Sequence, residues 1–380
     1  MGCCQKKKSN ILIENYTKYE EEISSSKLNY NDFESLKLLG TGSFGRVLLV
    51  RYKSNNQLYA MKILHKSHIK LTQQEEHTKT ERDLMVKIDS PFLLNIKFAF
   101  QDETKLYLVS DFMQGGDMFY HLHFENKFPE KKAKFYLIEI ILGLEYLHKN
   151  NMIYRDLKPE NILMDSEGHI KLSDFGLSKV LENNTEKAFT LCGTPQYLAP
   201  EIMKEKGYDK NVDWWSLGCF FYEMLTGFLP FYIPKDHLNE KIYQTEIRFP
   251  PAINPLAIKF IKELLVVDPK QRLGSGDNGI DNIKSHEYFK DIDWNKYFNK
   301  EIKPPFVPKL DNEEDLKYFD KMFTDEPVNS PISQSRPRAY STYKGFNFIT
   351  NSAKKDIENK NKGNLEDNNE IREDVAQDDI

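Results

Sequence analysis

Cysteine is scarce in this chain: four residues in 380, two of them adjacent at the start (Cys3, Cys4) and two far along it (Cys192, Cys219). That excludes a disulfide-stapled secreted scaffold and predicts a reduced, intracellular protein. Long hydrophobic runs are missing as well. The longest, Phe135 to Leu147, is interrupted by Glu139 and Glu145 and is too short to span a bilayer. The first residues contain no apolar core of a secretory signal. Neither sign of charge dominates: 53 Lys and Arg stand against 58 Asp and Glu, a net charge of −5. This balance gives no footprint of a nucleic-acid binder. No internal repeat is visible.

What is present points to a large globular protein. A chain of 380 residues with 39% hydrophobic content exceeds a single core, so at least two lobes are expected. Residues 350–380 carry nine acidic and five basic side chains and almost no large apolar ones, which predicts an acidic disordered tail. Residues 33–63 read as three strands, Phe33 to Leu39, Val47 to Val50 and Leu58 to Ile63, with a turn at Ser54-Asn55-Asn56. Residues 74–88 are helix-permissive, and Lys105 to Met113 reads as a further strand ended by Gln114-Gly115-Gly116. Beyond it the pattern turns helical: Leu137, Ile138, Ile141, Leu144 and His148 recur at helical spacing, and Val212 to Leu225 is apolar on nearly every side.

Four short segments carry the chemistry. Gly40-Thr41-Gly42-Ser43-Phe44-Gly45-Arg46-Val47 is a glycine-rich turn between apolar runs, and Ala60-Met61-Lys62 ends a strand. Tyr154-Arg155-Asp156-Leu157-Lys158-Pro159-Glu160-Asn161 and Asp174-Phe175-Gly176 follow about a hundred residues later. The glycine pattern alone is weak, since dinucleotide-binding folds share it. Here a strand follows Gly45 where such a fold needs a helix. The order glycine loop, lysine, catalytic-loop aspartate and second aspartate resembles a eukaryotic protein kinase over residues 33–290.

That resemblance implies an α+β, bilobal protein-kinase fold: a small β-rich lobe over 33–110, a hinge at 111–114 and a larger helical lobe over 115–290. It implies ATP and Mg²⁺ as the cofactors. Gly40, Thr41, Gly42, Ser43, Phe44, Gly45, Val47, Ala60, Asp111 and Met113 would surround the nucleotide, with Lys62 on its phosphates and Glu81, nineteen residues on, holding that lysine. Asp156 matches the catalytic base, Lys158 the γ-phosphate contact, and Asn161 and Asp174 the metal-holding residues. Asp-Leu-Lys-Pro-Glu-Asn is the serine/threonine form of the loop. The competing reading is a catalytically inactive ATP-binding scaffold, which such chains reveal by a missing residue; none is missing here.

Thr190-Leu191-Cys192-Gly193-Thr194-Pro195-Gln196-Tyr197-Leu198-Ala199-Pro200-Glu201 is similar to the activation segment of the AGC group, the kinases related to protein kinases A, G and C. The likeness implies a regulatory phosphothreonine at Thr190, made by an upstream activating kinase and received by Arg155, Lys179 and His77. It also implies that Thr194 bridges Asp156 and Lys158, and that Glu201 pairs with Arg272. Gln196 stands where relatives carry glutamate. Asp117, Glu160 and Glu223 occupy the positions that hold arginines upstream of a protein target. Residues 291–349 resemble the AGC C-terminal tail: Pro304 to Pro308, Tyr318 to Phe323, a turn motif with Ser330 as phosphosite, and Tyr343-Lys344-Gly345-Phe346-Asn347-Phe348 as aromatic motif. The expected state is a monomer without nucleic-acid partner. Residues 1–32 are too few for a further folded domain and read as an anchor: Gly2 for myristoylation, Cys3 and Cys4 for palmitoylation, and Lys6 to Lys8 as a basic patch. They depart from the usual myristoylation pattern at Lys6, where Ser or Thr is expected. The chain is thus expected in the cytoplasm, on the inner face of a membrane.

Overall fold

A computed structural model describes residues 28–42, 45–182, 186–204, 206–231, 243, 245–328, 340, 342–350 and 353. Gly2, Cys3, Cys4, Ser43, Phe44 and Ser330 lie outside the described residues, as does nearly all of 350–380.

In chain order, strands β1 (Phe33–Gly42), β2 (Gly45–Tyr52) and β3 (Leu58–His65) lead into helices α1 (Lys66–Leu71) and α2 (Glu75–Lys87), then β4 (Ile96–Gln101) and β5 (Lys105–Asp111). Helices α3 (Met118–Glu125) and α4 (Glu130–Lys149) come next, followed by short strands β6 (Met152–Ile153), β7 (Ile162–Met164), β8 (Ile170–Leu172) and β9 (Lys179–Val180). Helices α5 (Pro200–Met203), α6 (Asn211–Thr226), α7 (Pro255–Leu264), α8 (Gly279–Lys284) and α9 (Trp294–Phe298) precede α10 (Lys321–Thr324) and the last strand, β10 (Phe348–Ile349). The chain forms two compact units: residues 1–75, 95–112 and 321–380, and residues 76–94 and 113–320.

The first unit is a six-stranded sheet in the order β1-β2-β3-β5-β4-β10. Its strands are antiparallel, so alternate residues face opposite sides. Leu48, Val50, Tyr59, Met61, Ile63, Phe98 and Tyr107 share one buried cluster with Phe33 and Phe100. Its aromatic rings stack closely, Phe100 on Tyr107 at 4.7 Å and Phe33 on Phe100 at 5.6 Å. The other alternation carries Val47, Ala60 and Lys62: Val47 pairs with Lys62, which pairs in turn with Leu108, and Ala60 pairs with Ser110. The strand expected from Lys105 to Met113 stops at Asp111.

The C-terminal tail completes this unit. Phe348 and Ile349 add β10 antiparallel to β4, opposite Ala99 and Phe98. Phe346 and Ala353 are buried. Gln101 holds Tyr343 by a double bond to its backbone: the Tyr343 N–H donates to Oε1 at 2.8 Å, and Nε2 donates to the Tyr343 carbonyl at 2.7 Å. Arg46 donates to the carbonyls of Val328 and Pro327 at 3.1 and 3.3 Å.

In the second unit α4 and α6 form the interior. Every expected contact residue of α4 is buried, and α6 is buried along nearly its whole length. Helix α2 belongs to this unit except for Glu75, and its C-terminal extension is secured there: Leu94 N–H donates to the Leu172 carbonyl at 2.8 Å, and Asp89 N–H to the Tyr146 hydroxyl at 2.9 Å. Tail residues up to 320 also pack within it. Phe306 meets His121 edge-on at 5.1 Å, and Gln114 Nε2 donates to the Asn312 carbonyl at 2.7 Å.

Candidate active site

The catalytic loop is positioned by one residue that the motifs do not contain. Asp213, near the start of α6, is fully buried. Its Oδ1 accepts the Arg155 N–H at 2.8 Å, and its Oδ2 accepts the Tyr154 N–H at 2.9 Å and bonds His148 Nε2 at 2.7 Å. Arg155 sits at φ 69°, a left-handed conformation that costs a non-glycine residue about 1 kcal/mol or more. The carboxylate holds that backbone in place. The only sequence signal is an aspartate at the head of an otherwise apolar run.

The held loop presents Asp156, which is buried. Its Oδ1 accepts the Thr194 hydroxyl at 2.9 Å; its Oδ2 accepts Asn161 Nδ2 at 2.8 Å and pairs with Lys158 Nζ at 2.9 Å. Lys158 Nζ also donates to Thr194 Oγ1 at 3.1 Å, so the expected bridge by Thr194 is present. Asn161 spends its amide nitrogen on Asp156, which leaves the amide oxygen for a cation. Its carbonyl accepts the Ser173 N–H at 2.8 Å, which ties Asn161 to the residue before Asp174. Asp174 has φ 52° and accepts the Gly176 N–H at 3.4 Å. A carboxylate and an amide oxygen are the donor types that a hard cation such as Mg²⁺ takes. Glu81 is buried on α2, and a Cβ placed on Gly176 would come 3.6 Å from its Oε2, so this carboxylate lies beside the Asp-Phe-Gly segment.

The first unit holds the remaining expected residues. Gly40 pairs with Val47 across β1 and β2, and a Cβ on Gly40 would meet nothing within 4 Å among the described residues. That open space fits a phosphate approach. Gly45 differs: its Cβ would stand 1.7 Å from the Ile63 carbonyl oxygen. Glycine is therefore required there by the β2–β3 pairing itself, whatever the ligand. Thr41 and Gly42 end β1, and a strand follows at Gly45, against a dinucleotide-binding arrangement. Asp111 closes β5 with an ion pair to Lys97 at 3.2 Å, and Met113, in the second unit, is buried.

The activation segment is built in the second unit. Thr190 is exposed, and its carbonyl accepts the Tyr208 hydroxyl at 2.7 Å. Arg155 Nη1 reaches the same hydroxyl at 3.1 Å, so Thr190 and Arg155 share one partner. Lys179 pairs with Glu186 at 3.1 Å. His77 Nδ1 is buried without a hydrogen-bond partner among the described residues. Gly193, at φ 109°, packs so closely that a Cβ would lie 2.7 Å from the Arg155 carbonyl oxygen. Glu201 meets Arg272 through two bonds of 2.6 and 2.9 Å, as expected.

The three acidic candidates come together electrostatically. Burial lifts the Glu223 carboxyl to about 7, and the neighbouring Glu160 charge adds to it against the Tyr197 hydroxyl, which donates at 2.5 Å. Burial likewise lifts Asp117 to about 6, with Glu160 again contributing. Asp117 also serves the fold directly, because its Oδ1 caps α3 by accepting the Tyr120 N–H at 2.8 Å. Asp117 and Glu223 are thus both partly committed to contacts within the fold.

A buried aspartate bonded to a lysine, an asparagine and a threonine hydroxyl, next to a metal-ready aspartate, is the constellation of a phosphoryl-transfer enzyme. Comparison with known proteins agrees. The protein kinase domain family matches residues 33–289, and the protein kinase C terminal domain matches residues 310–361. The chain is 44% identical over 333 residues to the RAC family serine/threonine-protein kinase homolog of Dictyostelium discoideum, covering 86% of this chain and 74% of the relative. It is 45% identical over 329 residues to ribosomal protein S6 kinase alpha-3 of Homo sapiens, covering 85% of this chain and 44% of the relative. Against the serine/threonine-protein kinase gad8 of Schizosaccharomyces pombe, identity is 46% over 315 residues, 82% of this chain and 55% of the relative. The chain therefore spans about half the length of the latter two. It belongs to the AGC group of serine/threonine protein kinases. Among the described residues no helix is long and apolar enough to cross a membrane.

Proposed function

We propose that this kinase transfers the γ-phosphoryl group of ATP to serine or threonine residues that follow arginines, and that phosphorylation of Thr190 by an upstream kinase switches it on. The bonded set Asp156–Lys158–Thr194–Asn161 carries this reading. Asp156 accepts the proton of the target hydroxyl as that oxygen attacks phosphorus. Lys158 offers positive charge to the transferring group, and Lys62 does the same for the α- and β-phosphates. Asn161 and Asp174 would hold Mg²⁺, which neutralises the phosphate charge when bound. A peptide phosphorylation assay tests the reaction: a serine peptide with upstream arginines should be modified and the same peptide with alanines should react at least tenfold more slowly.

The acidic cluster gives the preference a pH signature. A guanidinium needs Glu223 ionised, and in the free enzyme its carboxyl titrates near 7. The KM for an arginine peptide should therefore fall about tenfold from pH 6 to pH 8, following the ionised fraction. Glu223→Gln should flatten that profile; an unchanged slope would remove Glu223 from the peptide site.

Thr190 is exposed to a modifying enzyme yet linked through Tyr208 to the residue beside the catalytic base. A phosphate there adds about −1.5 to −2 charge near Arg155. Thr190→Ala should lower kcat about ten- to a hundredfold relative to the phosphorylated enzyme and leave ATP affinity nearly unchanged. Equal turnover after treatment of both with an activating kinase would sink the switch.

Membrane attachment through Gly2, Cys3, Cys4 and the lysines after them belongs to the same proposal and rests on the sequence alone. One acyl chain binds membranes only marginally, so the second lipid or the basic patch is required. A Gly2→Ala protein that fractionates with membranes as fully as wild type would rule it out.

A further inference from the structure

Three exposed rings stand beside the acidic trio. Among the described residues five phenylalanines are exposed, and three of them lie on α3 and on the loop after α6: Phe119 at 52%, Phe124 at 65% and Phe228 at 75%. Single apolar residues scattered over a surface are ordinary, whereas several rings in one neighbourhood mark a contact site. Helix α3 buries Met118, His121 and Leu122 and leaves Phe119, His123 and Phe124 exposed, where a surface helix ordinarily carries charge. His123 stacks on Phe119 at 6.2 Å and meets the Phe124 ring edge-on at 5.3 Å, so the exposed face is aromatic along its length. The tail covers Tyr120, whose hydroxyl donates to the Lys317 carbonyl at 2.7 Å, and leaves the phenylalanines uncovered.

Both aromatic segments grow out of residues of the trio. Asp117 caps α3 and pairs with Leu163, two residues beyond Asn161, so the helix starts beside the catalytic loop. Its far end, Asn126, lies against Gly227, where a Cβ would stand 2.4 Å from the Asn126 carbonyl oxygen. The Phe128 N–H donates to the Met224 carbonyl at 2.7 Å, which fixes the chain leaving α3 to α6. Gly227, at φ 78°, donates its N–H to the Glu223 carbonyl at 2.8 Å; this ends α6 and sets Phe228 just past it. The Phe228 N–H is held by Thr226 Oγ1 at 3.1 Å. From Asp117 to Phe124 the helix rises about 10 Å, which an extended peptide covers in about three residues.

We propose that Phe119, Phe124 and Phe228 form a second substrate subsite, which takes a large apolar side chain two to four positions N-terminal to the arginine held by the acidic trio. The inference rests on the arginine-directed reading given above and extends it to a substrate class, arginine with an apolar residue upstream of it. Continuity identifies the occupant. A target with its hydroxyl at Asp156 and its arginine on Asp117, Glu160 and Glu223 sends its N-terminal part away from the catalytic loop, and α3 runs the same way. The acid at the end of α3, Glu125, is already paired with Lys132 at 2.5 Å, so this face suits an apolar group and not a further cation.

The test uses the full chain, treated with an activating kinase, and a series of serine peptides. Each carries a single arginine at the upstream position that gives the lowest KM, with alanine elsewhere, and leucine then replaces alanine two, three or four positions before that arginine. At one of these positions leucine should lower KM about five- to tenfold with kcat within twofold, since an open face buries only part of the side chain. Phe124→Ala with Phe228→Ala should bring the leucine and alanine peptides within twofold of each other in KM. Phe124→Leu with Phe228→Leu should keep most of the difference. No gain from leucine at any of the three positions overturns the inference, and this arm needs no variant to fold. A dimer in analytical ultracentrifugation that Phe124→Ala dissociates overturns it too, because the face would then belong to a second copy. A gain that survives in the double alanine variant, shown folded by circular dichroism, removes these rings from the subsite. In each of these cases the arginine-directed reading stands if replacing the arginine by alanine still slows the reaction at least tenfold. A series indifferent to the arginine overturns that reading and the inference with it.

Discussion

Asp156→Asn is expected to lower kcat by about 10² to 10⁴-fold while the protein keeps its fold and its ATP affinity. The expectation follows from how each oxygen is used. Oδ2 accepts from Asn161 and Lys158, which are obligate donors at these atoms, whereas Oδ1 accepts from the Thr194 hydroxyl. A hydroxyl can turn round and accept. An asparagine can therefore place its oxygen at the Oδ2 position and its amide nitrogen against Thr194, and every polar atom keeps a partner. The lost quantities are the negative charge and the ability to take a proton. The melting temperature should stay within about 3 °C of wild type, equivalent to roughly 1 kcal/mol. Turnover of an arginine peptide within threefold of wild type would show that Asp156 is not the base, and would also revive the reading of an enzyme whose residues serve only to bind.

The bonded set around Asp156 is legible in the sequence because it is local. Asp156, Lys158 and Asn161 span six residues, and their mutual bonds follow from a single loop. Thr194 and the Glu201–Arg272 pair are reached through the family resemblance, and both contacts are present. Non-local determinants escape. Strand β4 carries Lys97 among apolar neighbours without the turn signals that mark other strands, and the pattern does not reveal it. Helix α1 and the two-residue strands β6, β9 and β10 are too short to leave a period. Gln101 and Tyr343 meet across 242 residues, which no local pattern encodes. Gly45 reads as a phosphate-approach residue, and the Ile63 carbonyl gives it a different obligation. Asp117 reads as a substrate carboxylate only, and it also caps a helix.

Asp213 is the largest of these omissions, and Asp213→Asn should show its weight. It is fully buried and its two oxygens receive three bonds, from the Arg155 and Tyr154 N–H groups and from His148 Nε2. Unlike Asp156, it faces a backbone N–H on each oxygen, and neither can reverse into an acceptor. Wherever the amide nitrogen of an asparagine is placed, at least one donor meets a donor in a dry site. An unsatisfied buried donor costs about 1–3 kcal/mol, and loss of a charged acceptor adds to that. A total near 3 kcal/mol corresponds to a fall in melting temperature of about 6–12 °C for a folded region of this size. Turnover should fall further than stability alone requires, because Arg155 at φ 69° loses the bond that holds it and Asp156 is the next residue. We expect kcat about a hundredfold lower at a temperature where circular dichroism reports fully folded protein, with ATP affinity changed less than threefold. A variant that melts early but turns over normally at that temperature would make Asp213 a stabilising residue only, and the catalytic loop would then owe its position to other contacts.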